Sequence, residues 1–353
     1  MHPTEIRTLT VSNLDLPLRE PFGISRGTQD TVQNLLVMVE LASGARGLGE
    51  AAPLPAFNGE TQDSARQGIL AAKGVVLGRD ARGFRRLARS IGDATRVGSA
   101  RCAVETAILD ALTRHHGMSL LSFFGGVDST LETDVTIPTG DVAHATRAAK
   151  TRSDEGFRCL KIKVGGDGDD LERVTAAAVA APSASMILDA NAAMTADAAI
   201  RLVHALEARG VRVALFEQPV GVTDRAGLAA VGRVVPVAAD ESVSSAEDAL
   251  ALVSLGAPHA FNIKLMKTGI VEALDIAAIA RGAGIRLMIG GMVETVLAMT
   301  TSACFAAGQG GFTFVDLDTP LFLAENPFDG GFVQHGPRLD LGAITAGHGV
   351  SLR

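Results

Sequence analysis

The stretch Cys159-Leu160-Lys161-Ile162-Lys163-Val164 (residues 159–164) alternates apolar and basic side chains in its centre. This period of two predicts a β-strand, on which Lys161 and Lys163 point to the same face. Two neighbouring ammonium groups repel each other, so each is expected to lose its proton more easily than an isolated lysine. An edge strand with a solvated lysine face would give the same pattern. The sequence around the stretch decides between these interpretations.

Outward from this strand, short apolar segments recur at an average spacing of about 26 residues between residues 133 and 316. Ala-rich stretches of helical pattern separate them. Strands that alternate with helices at this spacing predict an α/β fold of the TIM-barrel type, in which the 159–164 strand is the second of eight. The predicted strands cover residues 133–138, 159–164, 185–189, 212–217, 235–239, 260–264, 285–289 and 312–316.

The residues before the barrel predict a separate α+β domain over 1–127. Within it, the Gly-containing segment 21–30 and the Pro-rich segment 51–64 are expected to be long loops, which often carry function. The barrel is predicted over residues 128–322. The remaining tail, 323–353, is expected to leave the barrel and return to the N-terminal domain.

The composition argues against several kinds of partner and site. A net charge of −7 without a basic run argues against nucleic acid. Three widely spaced cysteines fit neither a disulfide framework nor a zinc site, and they indicate a reducing compartment. Because we find neither a hydrophobic signal core nor an apolar run of membrane-spanning length, we expect a cytoplasmic protein without a membrane partner. The oligomeric state stays open, and a homo-oligomer is compatible with the sequence.

Three successive predicted strands end in an acidic residue: Asp189 within LDAN, Glu217 within FEQP and Asp240 within ADES. Since the C-terminal ends of barrel strands meet at one mouth, these carboxylates are expected to converge. Anions gathered in a pocket require a cation, and oxygen ligands favour a hard ion, most simply Mg²⁺. One such acid alone would more simply be a helix N-cap, but three in succession favour a metal site.

A further lysine, Lys264, ends the sixth predicted strand. The second and sixth of eight strands lie opposite each other, so Lys163 and Lys264 would face one another across the metal. One base suffices for an elimination, whereas two opposed bases suit removal of a proton from one face of a carbon and its return on the other. A metal-bound carboxylate would stabilise the enediolate between these steps. The alternative for Lys264 is a snorkelling side chain.

The strand-end motifs are KIK (161–163), LDAN (188–191), FEQP (216–219), ADES (239–242) and NIKLMKTG (262–269). Together they resemble the enolase superfamily, muconate-lactonizing-enzyme subgroup, over nearly the whole chain. The resemblance implies a modified (β/α)₇β barrel with an α+β capping domain, and it carries the three acids over as Mg²⁺ ligands. It also implies that Lys163 and Lys264 are the two acid/base residues. Lys161 would lower the pKa of Lys163 and contact the substrate carboxylate.

The subgroup includes muconate cycloisomerases, o-succinylbenzoate synthases, N-succinylamino acid racemases and dipeptide epimerases, which the shared frame does not separate. The last predicted strand carries Asp316 and Asp318 on one face, within DLDTPLFL. This run resembles that of dipeptide epimerases, in which the Asp-x-Asp pair binds the free α-ammonium group of a dipeptide. It implies an isomerase that inverts the α-carbon of the C-terminal residue. The other substrates would bring carboxylates towards two aspartates; a structural salt bridge is the alternative role for the pair.

The identity of the dipeptide stays open. Arg26 resembles the arginine that meets the glutamate side chain in L-Ala-D/L-Glu epimerases, where it would pair well with a carboxylate. Thr136 and Gly291 are expected to contact the substrate. We therefore expect an L-Ala-containing dipeptide whose second residue is either Glu or hydrophobic. A hydrophobic side chain would be lined by four apolar residues: Phe22, Ile24, Leu54 and Phe57.

Overall fold

The computed structural model describes residues 2–24, 27–165 and 168–353, and only the backbone of residues 22, 24, 27 and 28. Its larger unit is a sheet of eight parallel strands that follow one another in chain order. The strands are Val135–Ile137, Cys159–Lys163, Ser185–Asp189, Val213–Glu217, Val237–Ala239, Ala260–Lys264, Arg286–Gly290 and Phe312–Val315. The predicted α/β barrel and the positions of its eight strands are confirmed; the ends of several strands shift by one or two residues.

The sheet closes where its first and eighth strands meet. The amide nitrogen of Asp134 donates to the carbonyl oxygen of Val315 at 2.8 Å. Beyond the first strand, Lys163 pairs in register with Asp189, and Asp189 pairs with Glu217. The charged ends of the second, third and fourth strands therefore lie side by side at one rim.

The alternation in the second strand explains how this chain fills both sides of the barrel wall. Leu160 and Ile162 are buried in the main hydrophobic core, together with helix residues such as Val174. Burial of each such side chain contributes roughly 1.5–3 kcal/mol. Lys161 and Lys163 point to the other side, into the barrel pocket. The apolar face thus anchors the strand while the basic face serves the site.

Helices cover the outside of the barrel, and polar side chains cap the start of several of them, as Asp141 and Thr195 do. The eighth strand is followed by a 3₁₀ turn, Thr319–Phe322, in place of an α-helix. The barrel helices are Val142–Asp154, Asp170–Ala180, Ala196–Ala208, Arg225–Gly232, Ala246–Leu255, Leu265–Thr268, Ile270–Gly282 and Val296–Gln309.

The N-terminal part forms an antiparallel sheet of three strands, Ile6–Ile24, Gly27–Leu41 and Arg46–Ala51. The helix Gly98–His115 packs directly on the third strand. Two glycines of that strand permit this approach, since a Cβ atom added at Gly49 would overlap the backbone oxygen of Ala103. The remaining helical elements of this part are Pro55–Asn58, Gln62–Val76, Ala81–Gly83, Phe84–Ala94 and Leu120–Phe123.

The prediction that residues 21–30 form a loop is wrong for most of the segment. The first two strands continue into this segment and stay paired there as an antiparallel hairpin. Phe22 pairs with Gln29, and Ile24 pairs with Gly27. A register irregularity after Pro17 interrupts the pairing, and this break hides the strand pattern in the sequence. Arg26 lies outside the described residues.

Parts of the tail contact the N-terminal part through hydrogen bonds. The amide of Ala324 donates to Pro17 O at 2.9 Å, and the amide of His348 donates to Asp110 Oδ1 at 2.9 Å. The domain boundaries after residues 127 and 322 stay predictions. Among the described residues, we find no helix with the length and apolar character needed to cross a membrane.

Two buried carboxylates of the N-terminal part cap barrel helices and so join the two units. Glu105 Oε2 accepts hydrogen bonds from the amides of Ile270 and Val271 at 2.8 and 3.0 Å. Glu50 accepts from the amide of Thr295 at 3.0 Å, at the start of the helix Val296–Gln309. Negative charge at a helix N-terminus is favourable, so both contacts stabilise the packing of one unit on the other.

Candidate active site

A pocket opens at the C-terminal ends of the barrel strands, where the N-terminal part covers the barrel. Its wall combines three lysines, two aspartates and a set of apolar or small residues. The lining residues are Leu54, Phe57, Thr136, Lys161, Lys163, Asn191, Lys264, Gly291, Met292, Val293, Asp316, Asp318 and Thr319. The fold therefore brings residues from the second, sixth and eighth strands into one cavity.

The predicted metal ligands Asp189, Glu217 and Asp240, called here the rim cluster, are fully buried beside this pocket. Lys161 Nζ lies 3.0 Å from Asp189 Oδ2 and 2.8 Å from Glu217 Oε2. Lys163 Nζ lies 2.7 Å from the same Asp189 oxygen. These ammonium groups supply positive charge to the first two acids of the rim cluster.

Asp240 is paired with two further ammonium groups. Lys264 Nζ donates to its Oδ2 at 2.6 Å. Lys267 Nζ donates to its Oδ1 at 2.7 Å and also to the backbone oxygens of Asp240 and Asn262. Lys267 stands inside the NIKLMKTG motif, but its role was not predicted. Lys267 therefore holds Asp240 Oδ1 in place, while Asp240 Oδ2 faces Lys264, which lines the pocket.

Burial and charge shift the pKa values of this cluster in opposite directions. Burial, reinforced by Asp189, raises the pKa of Glu217 to about 8. Burial also acts against ionisation of Asp189 and Asp240, but the facing lysines outweigh it and hold both pKa values below their usual range. Glu217 is thus the acid whose negative charge the lysines balance least.

The pKa of Lys161 runs against the prediction from the sequence. Burial disfavours its ammonium form, but Asp189, Asp316 and Glu217 outweigh this effect and raise its pKa well above the usual value. The expectation that Lys161 loses its proton more easily is therefore wrong for this arrangement. The acids on the neighbouring strands contribute more than the repulsion from a second lysine.

Two side-chain amides orient acids of the rim cluster, and a third holds Lys163 beside it. Asn262 Nδ2 donates to Glu217 Oε1 at 2.8 Å, and Gln218 Oε1 accepts from the amide of Asp240 at 3.0 Å. Asn191 Oδ1 accepts from Lys163 Nζ at 3.1 Å. Asn191 and Gln218 have positive φ angles of 43° and 32°. Such strained backbone is held at strand ends where a site requires it.

The rim cluster fits a hard divalent cation. Its donors are carboxylate oxygens, all three residues are buried, and four lysines are drawn onto them. Glu217 Oε2 accepts no well-aligned hydrogen bond from the described residues, although Lys161 lies close to it. Asp189, Glu217 and Asp240 are therefore the residues that would hold Mg²⁺.

A second acidic group, called here the strand-eight cluster, consists of Asp134, Asp316 and Asp318. Within the described ranges, these three residues form a group that could hold a metal ion, because one oxygen of each residue lies within 4.8 Å of the other two. Asp316 Oδ2 accepts from Lys161 Nζ at 2.7 Å. Asp318 Oδ2 accepts from the amide of Thr136 at 2.6 Å. Both aspartates predicted to bind substrate thus face the pocket, and Asp134 is an additional acid.

The predicted substrate contacts Thr136 and Gly291 both lie on the pocket wall. A side chain at Gly291 would require Met299 to move, because an added Cβ atom would overlap the end of that side chain and approach Glu294 closely. Thr136 fixes Asp318 through its backbone amide. The glycine keeps the wall close to the cavity, and the threonine sets the orientation of an acid.

The N-terminal part holds the pocket loop over residues 291–295 in place. Asn34 Nδ2 donates to Val293 O at 3.0 Å and to Glu50 Oε1 at 2.7 Å. Glu50 Oε2 in turn accepts from Thr295 Oγ1 at 2.5 Å. Neither Asn34 nor Glu50 was predicted to serve the site. The position of the loop therefore depends on buried polar contacts across the two units.

The structure gathers most of the predicted site in one place. The three lysines, both strand-eight aspartates, Thr136 and Gly291 line the same cavity. The three rim acids lie beside it, in contact with these lysines. Of the residues proposed for side-chain specificity, Leu54 and Phe57 line the pocket. Arg26 and the side chains of Phe22 and Ile24 lie outside the described residues. Asp134 could have been found from the alternation with Thr136, since residues two apart share a strand face.

Comparison with known families matches the chain in two parts. Residues 6–125 match the mandelate racemase/muconate lactonizing enzyme N-terminal domain. Residues 143–353 match the enolase C-terminal domain-like family. The two matches correspond to the three-stranded sheet with its helices and to most of the barrel with the tail.

Similar proteins extend these matches over nearly the full length. An aromatic dipeptide epimerase of Herpetosiphon aurantiacus is 48% identical over 99% of this chain and 99% of its own. The L-Ala-D/L-Glu epimerase of Bacillus subtilis, solved as a substrate-liganded complex, has a TM-score of 0.95 and 33% identity over 98% of both chains. A dipeptide epimerase of Enterococcus faecalis, solved with Mg and L-Leu-L-Tyr, has a TM-score of 0.94 and 33% identity over 98% of this chain and 99% of its own.

Proposed function

Because the chain belongs to the mandelate racemase/muconate lactonizing enzyme family, we propose that it is a magnesium-dependent dipeptide epimerase. The reaction inverts the α-carbon of the C-terminal residue of the dipeptide. The observation that carries this proposal is one pocket lined by opposed lysines, Lys163 and Lys264, and by an aspartate pair, Asp316 and Asp318. An isomerase of this class needs both groups: bases at the reacting carbon and anions for the free amino terminus.

The two lysines act as the acid/base pair. They come from the second and sixth strands, which lie on opposite sides of the eight-stranded barrel. A carbon held between them loses its proton to one Nζ atom and receives a proton from the other Nζ atom on the opposite face. Return of the proton on the opposite face inverts the configuration, whereas one lysine alone would return it to the same face.

The substrate carboxylate lies at the rim cluster. Lys161, which is buried between that cluster and the strand-eight cluster, binds it through its ammonium group. Asp189, Glu217 and Asp240 would hold the divalent cation, which would supply positive charge to the substrate carboxylate. Lys163 and Lys264 face the α-carbon from opposite sides of the pocket.

The free α-ammonium group of the dipeptide lies at Asp316 and Asp318. Asp318 Oδ1 accepts no hydrogen bond from the described residues, which leaves it available to a donor in the pocket. A primary ammonium carries three N–H donors and matches two carboxylates. A substrate with a carboxylate at this end would meet two buried anions, which argues against muconate, succinylbenzoate and N-succinylamino acid chemistry.

We propose a hydrophobic or aromatic C-terminal residue in the preferred dipeptide. Four apolar residues of the wall support this choice: Leu54, Phe57, Met292 and Val293. The described cations of the wall are Lys161, Lys163 and Lys264, which the proposed reaction uses at the substrate carboxylate and the α-carbon, so none of them is left for an acidic side chain. The relative with 48% identity is named an aromatic dipeptide epimerase, in keeping with this choice. An acidic preference through Arg26 is the outcome that the substrate screen below would reveal.

A dipeptide library in D₂O tests the function directly. We expect Mg²⁺-dependent deuterium incorporation at the α-carbon of the C-terminal residue, followed by NMR or mass spectrometry, and strongest for L-Ala with a hydrophobic second residue. Lys163→Ala and Lys264→Ala serve as matched controls, and neither variant is expected to complete epimerisation. Absence of exchange in every dipeptide, together with turnover of a cyclohexadiene precursor to succinylbenzoate, would contradict the proposal.

A further inference from the structure

Asp134 is a buried acid next to the aspartate pair and outside the pocket lining. Its exposed fraction is 3%, and it precedes the first barrel strand at the point where the barrel closes on the eighth. It does not line the pocket, whereas Asp316 and Asp318 do. Its position next to the pair follows from barrel closure, because its own amide is bound to Val315.

Both carboxyl oxygens of Asp134 lack a hydrogen-bond donor among the described residues. Two acids lie close to it, since one oxygen each of Asp134, Asp316 and Asp318 lies within 4.8 Å of the others. Lys161 also acts on Asp134, and its charge lowers the pKa of this acid against the larger effect of burial. Two unpartnered acceptors in a buried position are costly unless a proton or a cation joins them. This arrangement points to a missing positive charge or proton.

The positive charges at hand do not balance three ionised carboxylates. Lys161 contacts Asp316 at 2.7 Å but is shared with Asp189 and Glu217 of the rim cluster. The α-ammonium group of a bound dipeptide would add one further charge. One carboxyl group must therefore keep its proton, as happens when neighbouring acids share a buried site. Asp134 is the member without any donor and without access to the pocket.

We propose that Asp134 is the third member of the ammonium site: in its neutral form it donates its carboxyl proton to Asp316 and so orients the Asp316–Asp318 pair. Burial and the neighbouring Asp316 both raise the pKa of Asp134 well above its usual value, in agreement with this form. The role rests on the proposed dipeptide function. Asp134 is a positioning residue, because it acts on the substrate through Asp316.

Two substitutions separate a donor from an anion at this position. Asp134→Asn keeps a side-chain N–H that can point to Asp316, whereas Asp134→Leu removes the donor at similar size. We expect Asp134→Leu to raise KM for a dipeptide about tenfold or more, with kcat retained. Asp134→Asn should stay near the wild type. The inhibition constant of the matching N-terminal deamino analogue should be unchanged in both variants.

Several outcomes would overturn the assignment. An unchanged KM in Asp134→Leu would show that Asp134 does not orient the pair. Equal weakening of dipeptide and deamino analogue would show a purely structural role, and equal damage in both variants would show that Asp134 acts as an anion. Absence of α-proton exchange in every dipeptide with the wild type would instead contradict the proposed function. The role of Asp134 would then be tested by infrared spectroscopy alone.

The infrared measurement needs neither substrate nor the leucine variant. The carbonyl stretch of a protonated carboxyl group should be present in the wild type at neutral pH and lose one component in Asp134→Asn. Thermal unfolding of the asparagine variant checks that it is folded. A carbonyl spectrum that is the same in the wild type and the folded Asp134→Asn would overturn the inference.

Discussion

The barrel holds two trios of buried carboxylates that differ in how their charge is balanced. In the rim cluster, every acid has a lysine Nζ within 3.0 Å, and Asp189 and Asp240 have two each. In the strand-eight cluster, Asp316 is the member that pairs with a lysine, and the described surroundings give Asp134 no donor. The same side-chain chemistry is therefore set in two different electrostatic environments.

The difference teaches which ligand each cluster suits. Four lysines surround the three acids of the rim cluster, so a dication bound there would compete with several ammonium groups. The same arrangement keeps the two acid/base lysines next to the reacting carbon. Two acids that face a pocket with a spare acceptor instead suit a ligand that brings its own donors. On the proposed function, the dipeptide spans the two clusters: its carboxylate lies at the rim cluster and its ammonium at the strand-eight cluster.

The largest effect on the rate of epimerisation is expected from the two acid/base lysines. Lys163→Ala and Lys264→Ala should each lower the rate of epimerisation by about 10²–10⁴-fold, because each removes the group that moves a proton on one face. Single-turnover exchange in D₂O, started separately from each epimer, measures the two faces independently. Each variant should retain exchange from one epimer only. Equal loss from both epimers in both variants would contradict the division of labour between the lysines.

A smaller effect is expected from the amide that orients Glu217. Asn262→Leu removes the hydrogen bond to Glu217 Oε1 at 2.8 Å and should weaken Mg²⁺ binding by about 10–100-fold. Calorimetric titration with the metal alone measures this affinity. Asn34→Leu is a matched control. Asn34 donates a hydrogen bond of 2.7 Å to another buried glutamate, Glu50, which is not a member of the rim cluster. Equal losses of metal affinity in the two variants would contradict the assignment of the rim cluster.

The smallest effect concerns a buried acid outside both clusters. Burial raises the pKa of Glu105 from 4.5 to about 7, although the amides of Val271 and Ile270 act against the shift. A folded protein with a raised acid pKa binds its proton more tightly than the unfolded chain, so this group makes stability fall as the pH rises from about 4.5 to 7. Denaturant unfolding should show a shallower fall in Glu105→Gln. A slope equal to that of the wild type would contradict the shift.

Much of the barrel and its charged rim could be predicted because both follow from local pattern. Alternation and βα spacing place Lys163, Asp189, Glu217, Asp240 and Lys264 at strand ends without knowledge of distant contacts. They do not reveal that carboxylates outweigh lysine repulsion at Lys161, because that balance depends on side chains from three strands.

Long-range contacts explain what the sequence did not predict. Asp134 meets Asp316 and Asp318 because the barrel closes between its first and eighth strands, which lie far apart in the chain. Glu50 reaches Thr295 because the N-terminal part packs on the barrel. The strand pairing of residues 22–24 with residues 27–29 was not predicted; a register irregularity between Pro17 and Phe22 precedes it. Local pattern therefore indicates which residues are available, and tertiary closure decides which of them meet.

The assignment of the two clusters is tested most directly by one paired titration. Mg²⁺ affinity and the preference for a free over an N-acetylated dipeptide are measured for Asp240→Asn and Asp318→Asn, which are matched buried substitutions. We expect Asp240→Asn to weaken Mg²⁺ binding by about tenfold or more and to leave the preference intact, while Asp318→Asn removes the preference and leaves Mg²⁺ binding unchanged. Loss of Mg²⁺ affinity in Asp318→Asn equal to or greater than that in Asp240→Asn would contradict the account and place the metal at the strand-eight cluster.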